Sequence, residues 1–88
     1  MEYKKYVDVI LKNDKNGKIK PMYIIWEADE DGTYEDERGV YQVDEIIDIT
    51  RAASLKAGGA GIRYTIRIGN SVTFLFHEEN RWFVERKY

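Results

Sequence analysis

The stretch Ile62-Arg63-Tyr64-Thr65-Ile66-Arg67-Ile68 sets apolar and polar residues on alternate positions, and a period of two marks a β-strand with one buried and one wet face. Gly69-Asn70 then turns the chain, and Val72, Phe74 and Phe76 recur two apart in the next segment. Register decides how the two faces combine. A two-residue loop at Gly69-Asn70 pairs Ile66 with Thr73 and Arg63 with Phe76, mixing polar and apolar side chains on both faces. A three-residue loop, Gly69 to Ser71, pairs Ile66 with Phe74 and Tyr64 with Phe76 and sorts them cleanly. A one-residue slip is strongly opposed where one face is buried, so the three-residue loop is expected. The same logic at Glu78-Glu79-Asn80 sets Trp82 beside Phe76 and Val84 beside Phe74, giving a three-stranded meander.

Turn signals divide the rest of the chain. A first strand near Tyr6 to Lys12 runs into Asn13-Asp14-Lys15-Asn16-Gly17, where Asn-Gly suits a tight hairpin. A second runs from Ile19 to about Glu27. Pro21 within it suggests an edge or a bulge, whereas continuous Met22 to Trp26 suggests burial on both faces. The acidic connection Ala28 to Gly39 reads as a solvated loop or a projecting hairpin. In a third strand, Val40 to about Thr50, the alternation shifts phase around Asp44-Glu45, as a bulge or sharp bend produces. Arg51 to Ala57 holds good helix formers before Gly58, so a short helix is expected near residues 51–57, with Thr50 as its N-cap. The expected fold is therefore mainly β: a small single-domain antiparallel roll or SH3-like barrel of about five or six strands with that one helix.

A chain of 88 residues has room for one core, so residues 1–88 are read as one domain. Without cysteine there is no disulfide framework, zinc knuckle or thiol nucleophile, and a reducing, cytoplasmic setting is expected. Charged residues interrupt the N-terminus where a signal peptide needs an apolar core, and the longest apolar run, Met22 to Trp26, falls far short of the ~20 residues of a membrane span. The net charge of −2 is unevenly spread: residues 1–26 carry +3, 27–48 carry −9, 49–77 carry +4 and 78–88 none. A polyanion would have to find a local patch against a mildly repulsive overall field.

Two segments could supply that patch. The expected register sets Arg63, Thr65, Arg67, Thr73, Leu75, His77, Arg81 and Phe83 on one surface, cations for phosphates with an aromatic for stacking, as single-stranded nucleic-acid binding on a small barrel requires. The same residues also read as the solvated outer face of a sheet. The run from Arg51 through Lys56 to Gly58, Gly59 and Gly61 offers backbone N–H groups and two cations to an anion. As a phosphate loop it is reversed, since Lys56 precedes the glycines at an expected helix end, where the dipole repels anions; the glycines read equally as a helix stop.

Other chemistry finds little support. Glu27 to Arg38 imitates a calcium loop, but its first position is Glu and its twelfth is Arg38, so no metal site is assigned. The single histidine, His77, and the two serines, Ser54 and Ser71, form no nucleophile-base pair in the expected register. The chain is read as non-catalytic and without a cofactor.

Taken together, Ile24-Ile25-Trp26-Glu27, Tyr41-Gln42-Val43-Asp44, Arg51 through Gly61, Ile62-Arg63-Tyr64-Thr65 and Trp82-Phe83-Val84-Glu85 resemble a family of short, uncharacterised bacterial proteins. The resemblance covers most of the chain, and these motifs are fairly specific as a set. The family has no established activity to carry over to any residue, and the acidic connection is longer here than the family's plain turn. The expectation is a binding module for a protein partner or for homo-oligomerisation, with nucleic acid or a phosphate-bearing ligand, bound through the basic face and Arg51 to Gly61, as the alternative.

Overall fold

Strands formed by the alternating segments hydrogen-bond into one antiparallel sheet. The computed structural model describes residues 2–27, 38–53 and 60–87. The strands are β1 (Glu2–Asn13), β2 (Ile19–Trp26), β3 (Gly39–Gln42), β4 (Glu45–Ala53), β5 (Ala60–Ile68), β6 (Ser71–Glu78) and β7 (Arg81–Lys87). They lie in the order β3-β2-β1-β7-β6-β5-β4, curled into a half-barrel. The acidic connection from Ala28 to Glu37 falls outside the described residues.

Two bends produce the curl. β1 divides its pairing, Glu2 to Val7 lying against β7 and Asp8 to Asn13 against β2. The expected third strand also divides. β3 pairs with β2, β4 pairs with β5, and only Val43 and Asp44 separate them. The phase shift seen around Asp44 is this bend, and it raises the strand count above the expected five or six. A register shift in the β1–β2 pairing leaves Met22 as the extra residue beside Pro21, as a proline without an N–H favours. The Met22 carbonyl accepts the Val43 N–H at 2.8 Å, so the bulge anchors the chain where it crosses between the halves.

Among the described residues the expected helix is absent. Arg51 to Ala53 continue β4, pairing with Ile62 to Ala60, and Thr50 pairs with Arg63 rather than capping a helix. Ladder bonds to β5 override a modest helical propensity. Residues 54–59, including Ser54, Lys56, Gly58 and Gly59, lie outside the described part.

Both meander turns are shorter than expected. Ile66 pairs with Thr73 and Ile68 with Ser71, so the β5–β6 loop is the two-residue Gly69-Asn70; Gly69, at φ +59°, supplies the positive first position of a II′ turn. Glu79 and Asn80 both take positive φ, 51° and 65°, in the I′ manner, and set Trp82 opposite His77 and Phe83 opposite Phe76. The three-residue expectation assumed that only one face is dry. In fact Val7, Ile24, Val43, Tyr64, Ile66, Leu75, Trp82 and Val84 form the core, while Phe76 and Phe83 are buried on the opposite face. Val72 and Phe74, expected inside, are exposed.

Candidate functional site

The observed register redistributes the residues of the basic face. Arg63, Thr65 and Arg67 share the outer side of the sheet with Phe74, Phe76, Arg81 and Phe83. Thr73, Leu75 and His77 point to the other side. There Leu75 is fully buried and the His77 ring stacks on Trp82, 4.1 Å apart and nearly parallel. Burial holds the His77 pKa below its ordinary value. Arg51 pairs with Ile62 and therefore alternates to the side opposite Arg63 and Arg67.

Most of the outer cations are engaged within the chain. The Arg67 guanidinium donates to the Gly69 carbonyl at 2.8 Å and to Glu45 Oε1 at 3.3 Å, with Asp44 Oδ2 3.9 Å away. Asp44 Oδ2 in turn accepts the Gly69 N–H at 2.6 Å, so these groups tie the β3–β4 crossing to the β5–β6 turn. Arg63 lies over the Phe74 ring at 4.6 Å and Arg81 over Tyr6 at 3.5 Å, geometry suited to cation–π attraction.

Phe83 has no exposed surface. It stacks on Phe76 at 5.1 Å, meets Tyr6 edge-on at 5.6 Å, and has Lys4 Nζ 4.4 Å above its ring. Lys4 also pairs with Glu78 Oε1 at 3.4 Å, closing a lid of charge over the aromatic pair. Gly61 belongs to the same arrangement. A Cβ there would overlap Glu78 Cγ and come within 2.9 Å of the His77 carbonyl oxygen, so this glycine makes room for the Glu78 side chain. Sequence reasoning missed this cluster, although the unbroken Phe74-Leu75-Phe76 run signals burial on both faces.

A second open surface lies on β1 and β2. Among the described residues, β1 past Val7 has no strand on the side where β7 lay, and β2 meets β3 only from Tyr23 onward. Leu11 to Asn13 and Ile19 to Met22 thus project as a two-stranded ribbon, and the β1 edge on the β7 side runs open from Asp8 among the described residues. Asp14 fixes its turn, the carboxylate Oδ1 accepting the Asn16 and Lys18 N–H groups at 2.9 Å each, and those bonds, led by that from Lys18, hold its pKa below the usual carboxylate value. Gly17 takes the positive φ of the turn, 81°. Ile10, Leu11, Ile19 and Tyr23 are exposed along the ribbon, beside Lys12, Lys15, Lys18 and Lys20. Where the ribbon leaves the body, an open groove of about 580 Å³ lies between β1 and the β6–β7 turn, lined by Tyr6, Asp8, Val9, Leu11, Arg81 and Trp82 among others. A smaller hollow of about 130 Å³ opens at the other end, beside Trp26 and Arg86.

Nucleophile geometry is unfavourable among the described residues. Ser71 begins β6 and His77 lies near its end, about 20 Å apart at the rise of an extended strand. No group of three His, Asp or Glu among the described residues is placed to hold a metal. No helix of the described residues is long and apolar enough to cross a membrane.

No protein-family model matches the chain, and neither a curated protein nor a solved structure gives a match.

Proposed function

We propose that this domain is a non-catalytic protein-interaction module that takes up an extended partner segment along the free edge of β1. The observation that carries the reading is the open edge of β1, whose backbone from Asp8 to Asn13 has no strand on one side among the described residues and whose flanks expose Ile10 and Leu11. An unpaired strand edge is a ready template for strand addition: main-chain hydrogen bonds give affinity and neighbouring pockets give selectivity. The curled sheet acts as a small antiparallel barrel-like scaffold that holds the ribbon out. A cytoplasmic setting suits a domain without cysteine.

The competing ligand is a nucleic acid or phosphate-bearing molecule at Arg51, Arg63 and Arg81. It is disfavoured by Phe83 lying buried and Arg67 lying between carboxylates. Panning displayed random peptides against the domain separates the two. Strand addition predicts enrichment of alternating apolar sequences that bind wild type and lose binding to Ile10→Asp. Salt-sensitive binding of labelled single-stranded DNA or RNA that disappears in Arg63→Ala, with no peptide enrichment, overturns the proposal.

A further inference from the structure

Along the free part of β1, Asp8, Ile10 and Lys12 face one side of the sheet and Val9 and Leu11 the other. Ile10 and Leu11 are 47% and 42% exposed. Neither the Asp8 nor the Lys12 side chain has an ion-pair or hydrogen-bond partner among the described residues. From this pattern we infer that the strand added to β1 is β1 of a second copy, running antiparallel about a two-fold axis at Ile10. The inference rests on the strand-addition reading above and names its occupant.

The sequence of the edge is self-complementary in this register. Ile10 opposite its own copy sets Asp8 opposite Lys12 twice and Val9 opposite Leu11 twice, so each charge meets its opposite and each apolar side chain another. Displacing the partner by one position sets Asp8 against Leu11 or Val9 against Lys12. Displacing it by two sets Asp8 against Ile10 or Ile10 against Lys12. The open groove beside Asp8 and Arg81 takes the partner's Lys12, and the added pairing ends there because the same edge of Val7 is held by Trp82.

β4, a terminal strand of the sheet, also exposes isoleucines, Ile47 and Ile49. It is less suited. The register that joins Ile47 to Ile49 and Glu45 to Arg51 sets Asp48 against Asp48 on the axis, and a register shift between Ile46 and Asp48 interrupts the strand.

The test is sedimentation of the full chain across roughly 1–300 µM, with circular dichroism confirming that each variant keeps the fold. Wild type is expected to pass from monomer to dimer, and Ile10→Asp to weaken the dimer at least ~10-fold. Lys12→Asp is expected to weaken it ~5-fold, and adding Asp8→Lys to restore it. The chain has no cysteine, so Ile10→Cys sets one thiol opposite its copy at about 4.5–5.5 Å between Cβ atoms, near disulfide range. Oxidation should cross-link Ile10→Cys and spare the similarly exposed Ile19→Cys. A wild type that stays monomeric, a dimer indifferent to Ile10→Asp, or cross-linking through Ile49→Cys instead overturns the inference. A monomer that still selects peptides through Ile10 removes the second copy and leaves strand addition standing; one that selects none removes both.

Discussion

His77 lies flat on Trp82 at the inner side of β6, and burial keeps its ring neutral to lower pH than its ordinary pKa of 6.5. The unfolded chain takes up its proton first as pH falls, so this residue contributes stability fully above about 6.5 and loses it as pH drops through the folded-state pKa. The urea midpoint should therefore decline between pH 7.5 and 5. His77→Phe preserves an aromatic ring against Trp82 but cannot titrate, and should flatten that decline. A second loss belongs to Asp14, whose pKa is held below its ordinary 3.8 chiefly by the Lys18 N–H. It begins only below that value and should survive in His77→Phe. A wild-type profile flat from pH 7.5 to 5, or an equal slope in the variant, counts against this account.

At the scale of the element, the two-residue turns decide which side of β6 is core, and adjacent substitutions test that directly. Leu75 is fully buried whereas Phe74 is exposed. Leu75→Ala should cost about 2–5 kcal/mol and Phe74→Ala under about 1 kcal/mol, read as shifts in urea midpoint; the reverse order would restore the three-residue loop. The strands themselves were legible, because Ile62 to Ile68 carry a strict two-residue period and Gly69-Asn70 is a turn pair in any register. The partnering of β6 was not. Sorting faces by polarity fails where Phe76 and Phe83 are dry on the side opposite the core, covered by Lys4, which comes from the far end of the sequence to pair with Glu78. The helix expected from Arg51 fails for a related reason: strand pairing with β5, invisible to local propensity, governs Arg51 to Ala53. Of the proposed basic face, the identities of the arginines were legible, but their carboxylate and aromatic partners depend on register.

For the whole molecule, the decisive constraint is that β3 and β4 stand at opposite ends of the strand order yet are joined through Val43 and Asp44 alone. A flat sheet would hold its end strands about 29 Å apart, from six gaps of ~4.8 Å, a distance that two linking residues cannot span. The sheet must curl, and the crossing carries the bonds that fix it. Val43 N–H reaches the Met22 carbonyl on one half and Asp44 N–H the Arg67 carbonyl on the other, at 2.8 and 2.9 Å. The Val43 side chain enters the core, and the Asp44 carboxylate caps the Gly69 N–H. Asp44→Ala removes that charged acceptor and should lower stability by about 1–2 kcal/mol, with the exposed Arg67 pair adding little. Asp44→Asn retains a side-chain oxygen for Gly69 and should lose less than half as much. Arg67→Ala should cost under about 1 kcal/mol, and a double-mutant cycle between the two sites should give a coupling no larger than that. If Asn proved as damaging as Ala, or if the coupling accounted for the whole loss, the closure would depend on the ion pair rather than on the capped backbone. That outcome would predict weakening in salt, whereas a capped turn leaves the urea midpoint nearly independent of ionic strength.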